Sequence, residues 1–369
     1  MEPQAHRVGH PVNDLDTPAL LVDLEKLEQN ILTMKRTIVD EARIKWRPHT
    51  KAIKTPALAH KLLRAGAHGI TCAKLSEAEV MAHAGIRNIL IANQVVGASK
   101  LARLAGLCRH ADLMVAVDCE GHVKALDVAA QAAGVRIGVV VEVNIAMNRA
   151  GVEPGEPVVA LAKQVASYRG LRFAGLMAWE GGRIAEIREA ETKRQRIVEA
   201  VGRLTGSADR CRAAGLPVEI VSCGGTGTYW ITSKLPGVSE VQAGGGIFCD
   251  MHYRNDYGVQ HEYALSILTT VVSRPTPTRI ICDAGWKTMA QQPALPAPRD
   301  MEGVKSVKLS AEHATIELTA PRPTPQVGDR VEFVAGYSDA TVCLHDHLYA
   351  VRGGQVEVIW PILGRGMTQ

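Results

Sequence analysis

The sequence predicts an α/β fold in which a TIM-type (β/α)8 barrel is followed by an antiparallel β domain. From about residue 43 to residue 250, short β-branched runs alternate without a break with longer helical patterns, as in parallel βα units. Beyond residue 255 the pattern changes to strand-like runs separated by Pro-rich and Gly-rich turns. We therefore predict a barrel over 16–255 and a β domain over 256–369, with residues 1–15 as a candidate attachment to the β domain.

Length and charge agree with two domains that act on a small molecule. The 369 residues exceed the roughly 250 to 300 that one hydrophobic core usually supports. With 46% hydrophobic and 22% charged residues, the composition is that of a globular protein. A formal net charge of +4 without a run of like charges gives no nucleic-acid or membrane footprint. We therefore expect a small-molecule substrate.

Cysteine usage and the N-terminus indicate the compartment. The eight cysteines include no CxxC pair, which favours reduced thiols over disulfides or a structural zinc site. The chain opens with MEPQAH, not with a basic region followed by an apolar stretch, and it contains no run of about 18 apolar residues. The expectation is a soluble, cytoplasmic protein.

Eight strand candidates define the barrel, and this number favours a closed parallel barrel over an open doubly wound sheet. Helix signals separate them, including Ser76 as a cap and Gly85 as a stop, and the longest crossover, 184–214, has the composition of a solvated helix. Residues 16–23 precede the series and are a candidate additional barrel strand. The eight candidates are 43–46, 69–72, 88–92, 113–117, 136–142, 173–178, 219–222 and 240–243.

The second half contains six further strand candidates, bounded by turns such as Pro275-Thr276-Pro277. They are 264–272, 279–282, 306–309, 330–334, 348–351 and 356–360.

Lys51 is the most informative single residue, because it follows the first barrel strand directly. The carboxyl ends of barrel strands are where such folds build their active sites. A partly desolvated lysine there can lose its proton and form a Schiff base with an aldehyde. The alternative is a solvated lysine in a loop.

Two glycine clusters predict a phosphate site. Gly224-Gly225-Thr226-Gly227-Thr228 follows the seventh strand candidate, and Gly244-Gly245-Gly246 ends the eighth. Barrel phosphate sites commonly follow these two strands. A cofactor that spans this site and Lys51 carries a phosphate at one end and an aldehyde at the other, which is the shape of pyridoxal phosphate. A nicotinamide cofactor fits less well, because no GxGxxG follows an early strand.

Other polar residues leave alternatives open. Arg149 is a candidate contact for the cofactor ring or an acidic group, or else a loop arginine. Lys74 and Glu77 are a cofactor-side pair, a lid salt bridge or a helix-start pair. His345 and His347 lie two apart and would share one face of a strand, as a divalent metal site or as hydrogen-bonded histidines.

Together these residues resemble the D-threonine aldolase and D-serine dehydratase group, fold-type III pyridoxal phosphate enzymes related to alanine racemase. The resemblance covers nearly the whole chain. It implies that Lys51 is the Schiff-base lysine, that His49 and Arg149 bind the cofactor, and that the enzyme is a homodimer. It also places four residues at the phosphate: Gly225, Thr226, Gly244 and Gly245. The matching segments are 47–51, 72–79, 149–152, 224–228, 283–287 and 344–346.

The sequence departs from this group at two positions. Metal-dependent members carry a His-x-Asp or His-x-Cys pair where this chain has Tyr337 and Asp339, so the metal histidine is absent. The aldolases place a histidine near the substrate hydroxyl where this chain has Glu180, a carboxyl group whose pKa burial beside Trp179 would raise.

The leading hypothesis is a lyase that cleaves a β-hydroxy D-amino acid by a retro-aldol reaction, with Lys51 binding the aldehyde and Glu180 acting as base. Asp339, His345 and His347 are candidate ligands for a divalent metal such as Mn, Mg or Zn. The rivals are an amino-acid racemase or epimerase that uses Lys51 and Tyr337, a D-serine or 3-hydroxyaspartate dehydratase, and a non-catalytic pyridoxal phosphate carrier.

Overall fold

A computed structural model describes residues 7–369, so residues 1–6 of the predicted N-terminal attachment lie outside the described residues. Contacts group the chain into two compact units. One takes in the described residues up to Leu32 with Ala52–Thr55 and Gly245–Arg365, and the other takes in Thr33–Lys51, Pro56–Gly244 and Gly366–Gln369. The boundary between residues 255 and 256 stays a prediction. The first strand, β1 (Ala19–Asp23), belongs to the former unit.

The second unit is built on a parallel sheet of eight strands, in the order β2-β9-β8-β7-β6-β5-β4-β3. An isolated parallel bridge between His49 and Thr71 joins the two ends of this order and closes a barrel. The eight strands confirm the eight predicted ones. They are β2 (Lys45–Trp46), β3 (Ile70–Cys72), β4 (Asn88–Gln94), β5 (Asp112–Val117), β6 (Ile137–Glu142), β7 (Leu171–Met177), β8 (Ile220–Cys223) and β9 (Glu240–Val241).

The barrel strands are covered by helices on the outside and by other strands' side chains on the inside, so apolar side chains fill the interior. Every residue of β6 is buried, and its Ile and Val content is typical of a parallel strand in such a position. One core cluster draws its members from five of the strands: Leu90, Met114, Ala116, Val140, Ala174, Met177 and Ile220. The interior is therefore a packed core, which leaves the strand ends as the place for polar side chains.

Helices connect the barrel strands, and the longest is the predicted solvated crossover helix. The expectation that Ser76 caps its helix is wrong. That helix begins at Leu75, and the Ser76 hydroxyl instead donates a hydrogen bond to the carbonyl oxygen of Gln369 across 2.9 Å. The helices are α1 (Leu24–Lys35), α2 (Pro56–Arg64), α3 (Leu75–His83), α4 (Ala98–Leu107), α5 (Glu120–Ala133), α6 (Glu156–Ser167), α7 (Gly182–Ala185), α8 (Ala190–Ala213) and α9 (Tyr229–Thr232).

The other unit contains a nine-stranded sheet and two short helices, α10 (Met251–Asn255) and α11 (Ser338–Thr341). The six predicted strands are present, and the predictions missed β12 and β14. The strands that join β1 are β10 (Leu265–Thr276), β11 (Arg279–Cys282), β12 (Ala297–Pro298), β13 (Val304–Leu309), β14 (Ala314–Leu318), β15 (Arg330–Val334), β16 (His347–Arg352) and β17 (Gln355–Pro361).

The strand β1 corrects one expectation. It pairs with β10 in antiparallel and with β16 in parallel orientation, so the interpretation of residues 16–23 as an additional barrel strand is wrong. The physical reason is the core that β1 completes, in which Ala19 and Leu21 pack with Leu268 and Val356. The remaining pairs of this sheet are antiparallel, as predicted.

Within residues 7–369, none of the helices combines the length and the apolar character that a membrane crossing requires.

Candidate active site

Lys51 lies in a single 3-10 turn, Thr50–Ala52, at the carboxyl end of β2. Its backbone is held on both sides. The amide of Lys51 donates to Nδ1 of His49 across 3.3 Å, and the hydroxyl of Thr50 donates to the carbonyl oxygen of Thr71 across 3.0 Å. The same hydroxyl makes a short hydrogen bond to the buried carboxylate of Glu77. The lysine is therefore delivered to the end of its strand by a fixed turn, where the sequence predicts it.

Two cations lie near the indole ring of Trp179 at this edge of the barrel. The amino group of Lys51 is 6.0 Å from the centre of the indole ring, and the guanidinium of Arg149 is 5.8 Å from it. Trp179 follows β7 and Arg149 follows β6, so both residues come from carboxyl ends of strands. A flat aromatic ring with a primary amine and a guanidinium nearby is suited to an anionic, ring-shaped ligand.

The glycine clusters follow β8 and β9 as predicted, and close contacts require glycine there. A β-carbon on Gly225 would lie 2.8 Å from Nε1 of Trp179, and one on Gly244 would lie 2.2 Å from the carbonyl oxygen of His49. Gly224 has a φ of +82°, which side chains disfavour. Thr226 is 7% exposed and adds a hydroxyl. Backbone amides of such glycine-rich loops suit a phosphate, so this donor set together with Lys51 fits pyridoxal phosphate.

Glu180 lies beneath the first glycine loop. Its Oε2 accepts a hydrogen bond from the Gly224 amide across 3.2 Å, and its Oε1 accepts hydrogen bonds from the hydroxyls of Thr228 (3.2 Å) and Thr232 (2.5 Å). The residue is 1% exposed. Burial raises the pKa of this carboxyl, and the three hydrogen bonds oppose the rise. Both carboxylate oxygens are thus engaged by the loop that the glycines form.

The other unit carries Gly245, Tyr337 and Asp339. A β-carbon on Gly245 would lie 2.5 Å from the hydroxyl oxygen of Tyr253, and that hydroxyl donates a hydrogen bond to Oδ1 of Asp339 across 2.9 Å. The ring of Tyr337 lies 6.0 Å from that of Tyr253. Burial, and then the charge of Asp339 and a hydrogen bond with it, raise the pKa of Tyr337. Two phenols and one carboxylate therefore form a partly buried network.

The candidate metal ligands of this unit are not gathered into one group. Nε2 of His345 lies 2.8 Å from the carbonyl oxygen of Thr288, and burial lowers the pKa of this histidine, so the ring is neutral and donates. His347 begins β16. Within residues 7–369, three side chains of metal-binding type do bring their ligand atoms within 4.8 Å of one another, but they are Asp118, Cys119 and His122 of the barrel unit. The assignment of Asp339, His345 and His347 to a metal stays a prediction.

Sequence reasoning missed three polar residues, Tyr253, Gln94 and Asp118. Tyr253 gave no signal, because its role depends on a glycine eight positions earlier and on a carboxylate 86 positions later. Gln94 and Asp118 lie at the carboxyl ends of β4 and β5, and Nε2 of Gln94 donates to Oε2 of Glu142 across 2.6 Å at the end of β6. The rule that selected Lys51, a polar side chain directly after a barrel strand, would have found Gln94 and Asp118.

Two family models match the chain. The model described as "Alanine racemase, N-terminal domain" matches residues 22–251, and the one described as "Putative serine dehydratase domain" matches residues 264–351.

Characterised relatives match over the full length. A D-threonine aldolase of Arthrobacter sp is 35% identical over 100% of this chain and 97% of its own. A 3-hydroxy-D-aspartate aldolase of Paracoccus denitrificans is 34% identical over 97% of this chain and 94% of its own. These matches cover both units, and therefore every residue described above.

Solved structures agree with the fold. The crystal structure of D-threonine aldolase from Filomicrobium marinum has a TM-score of 0.95 and 37% identity over 98% of this chain and 99% of that one. D-threo-3-hydroxyaspartate dehydratase from Delftia sp. HT23 has a TM-score of 0.86 and 26% identity over 96% of this chain and 99% of that one. An alanine racemase of Clostridium difficile, at 14% identity and a TM-score of 0.73, supports the fold alone.

Proposed function

Because the chain belongs to the family that includes D-threonine aldolase and 3-hydroxy-D-aspartate aldolase, we propose that it is a pyridoxal phosphate-dependent lyase that cleaves a β-hydroxy D-amino acid by a retro-aldol reaction. The observation that carries this proposal is the position of Lys51. Its amine lies 6.0 Å from the Trp179 ring at the strand ends that also bear the two glycine loops. In a retro-aldol cleavage the Cα–Cβ bond breaks, the β-hydroxyl loses its proton, the β-carbon leaves as an aldehyde, and the α-carbon takes up a proton.

The chain offers residues for each end of the cofactor. When bound, pyridoxal phosphate supplies an aldehyde that takes up an amine and a ring that acts as an electron sink. The amine of Lys51 would hold the aldehyde end. Amides of the glycine loops, with the hydroxyl of Thr226, would hold the phosphate, and Gly225, Gly244 and Gly245 keep these loops free of side chains. His49, whose Nδ1 accepts from the Lys51 amide, would orient the lysine turn.

Two residues are candidates for moving protons. Glu180 is proposed as the base for the β-hydroxyl, and burial raises the pKa of this carboxyl. Its oxygens are also engaged by Gly224, Thr228 and Thr232, which supports a second role in holding the phosphate loop. The phenol of Tyr337 has a raised pKa and keeps its proton at neutral pH, so it can donate a hydrogen bond. A racemase would require this phenol as a second base opposite Lys51, and product analysis separates the two reactions.

Product analysis tests the proposed reaction. The purified protein would be incubated with pyridoxal phosphate and each of D-threonine, D-3-hydroxyaspartate, D-serine and D-alanine. The expected products from the first two are glycine and an aldehyde. A 2-oxo acid with ammonia would identify a dehydratase, exchange of the α-proton with solvent alone would identify a racemase, and the absence of turnover on all four would indicate a carrier.

We also propose that the protein is a cytoplasmic homodimer. The free cysteines support the cytoplasm, and the family resemblance supports the dimer. Sedimentation velocity tests the dimer, and a single species with the mass of one 39.7 kDa chain would overturn it.

A further inference from the structure

Three metal-binding side chains lie together at the carboxyl end of β5. Asp118 follows the strand directly, Cys119 is the N-cap of the 14-residue helix α5, and His122 lies in the first turn of that helix. Their ligand atoms all lie within 4.8 Å of one another. None of these residues has a role in the reaction proposed above.

Asp118 and His122 are in direct contact. Nδ1 of His122 lies 3.0 Å from Oδ1 of Asp118. This contact has the length of a hydrogen bond but not its direction, and among the described residues this buried nitrogen has no hydrogen-bond partner. Two ligand atoms that bind one zinc ion at about 2.0 to 2.2 Å lie about 3 to 3.5 Å apart, so the observed separation suits a shared cation.

We propose that Asp118, Cys119 and His122 bind a divalent transition-metal ion of the zinc type, with water as the fourth ligand. A carboxylate, a thiolate and an imidazole form the mixed N/O/S set that zinc accepts in tetrahedral geometry. The exposed side chain of Cys119 is free to turn toward the ion, whereas Asp118 and His122 are about one-fifth exposed and already in place. The site is separate from the candidate ligands Asp339, His345 and His347.

The ion would be linked to the loop that carries Arg149. The second oxygen of Asp118, Oδ2, accepts a hydrogen bond from the amide of Gly151 across 3.1 Å and from Nε2 of Gln94 across 3.4 Å. Gly151 lies two residues beyond Arg149, whose guanidinium lies over Trp179. An ion on Asp118 would therefore fix the carboxylate that anchors this loop, and through the loop it would restrain Arg149.

Cobalt titration of the metal-stripped, full-length protein tests the site. Co²⁺ bound to a thiolate gives an intense near-ultraviolet charge-transfer band, and we expect this band to saturate at one equivalent and to disappear when Zn²⁺ displaces the cobalt. Cys119→Ser should abolish the band, and His122→Gln should weaken Co²⁺ binding by more than about 100-fold. Cys343→Ser, in the other unit beside Asp339, is the matched control and should keep the band.

Failure of the metal site and failure of the proposed lyase activity can be told apart, because the cobalt band is measured without substrate. A band that persists in Cys119→Ser, that vanishes in Cys343→Ser, or that never saturates at one equivalent would overturn the proposal. Circular dichroism of Cys119→Ser and His122→Gln identifies loss of folding. As a second readout, Zn²⁺ should raise the melting temperature of the wild type and leave that of Cys119→Ser unchanged.

Discussion

The amide of Gly224 donates a hydrogen bond across 3.2 Å to Oε2 of Glu180. A carboxylate that follows β7 therefore holds the first glycine of the loop that follows β8. Gly224 adopts a φ of +82° at this point. The contact links the residue proposed as a base to the loop proposed to bind phosphate. The two roles of Glu180 therefore need variants that separate them.

Replacing Glu180 separates those roles. Glu180→Gln can still accept from Gly224 and can donate to the hydroxyls of Thr228 and Thr232, so we expect it to bind pyridoxal phosphate as the wild type does. Glu180→Ala should bind the cofactor more weakly, because it leaves buried donors without partners. If Glu180 is also the base, Glu180→Gln loses kcat at unchanged cofactor affinity; equal kcat in both proteins would leave only the structural role.

The raised pKa of Glu180 also predicts a pH dependence of stability. Above the ordinary pKa of 4.5, the unfolded chain loses this proton while the folded chain retains it. The contribution of Glu180 to the free energy of unfolding is therefore present at low pH and is lost as the pH rises through the folded-state pKa. Urea unfolding of wild type and Glu180→Gln at several pH values above about 4.5 measures the difference. Parallel curves for the two proteins would contradict the raised pKa.

Lys51→Ala should lose the absorption band of the lysine-bound cofactor and the lyase activity. The physical reason is that the amine of Lys51 is the group proposed to hold the aldehyde. Lys45→Ala is the matched control, because Lys45 lies on β2, the strand that precedes the Lys51 turn, and its side chain is exposed. An absorption band retained in Lys51→Ala would contradict the assignment of Lys51 as the residue that binds the cofactor aldehyde.

Alanine at two glycines should weaken cofactor binding. In Gly244→Ala the new methyl group meets the His49 carbonyl oxygen at 2.2 Å, and in Gly225→Ala it meets the more adaptable Trp179 ring at 2.8 Å. Titration with pyridoxal phosphate should give a larger loss of affinity for Gly244→Ala. Gly202→Ala, in α8 with no atom within 4 Å, serves as control and should raise helix stability by up to about 1 kcal/mol. Unchanged affinity in both loop variants would contradict the phosphate assignment.

The buried ion pair between Arg47 and Glu240 should be costly to break. Nε of Arg47 lies 2.9 Å from Oε2 of Glu240, and the two side chains are 1% and 0% exposed. Arg47→Met or Glu240→Leu alone should lower the free energy of unfolding by about 3 to 5 kcal/mol, because each leaves an uncompensated buried charge. The double variant should recover part of this loss. Urea unfolding measures all three, and additive losses in the double variant would argue against the pairing.

Chelator should leave the lyase with most of its activity. Tyr337 stands where metal-dependent members carry a histidine, and Nε2 of His345 already donates to the Thr288 carbonyl. The assay is run with and without chelator, in wild type and in Cys119→Ser, so that any effect of the cluster at Asp118 is removed. Activity that is lost in both proteins and restored by Mn²⁺ would establish a metal in the reaction and favour the set of Asp339, His345 and His347.

The sequence by itself determined the eight barrel strands, the place of Lys51 and the two glycine loops. These features are local: a run of β-branched residues, a helix period or a glycine cluster can be recognised within about ten positions. The same locality explains the position of Glu180 after β7.

Only the tertiary structure decided which groups these residues meet. Glu180 contacts donors 44 to 52 positions away, and β1 pairs with strands that lie more than 200 positions further along the chain. Such pairings are selected by burial and hydrogen-bond satisfaction of the whole fold, and no local pattern specifies them. For that reason the sequence predicted Glu180 as a base and predicted the glycine loop, but it did not reveal the hydrogen bonds between them.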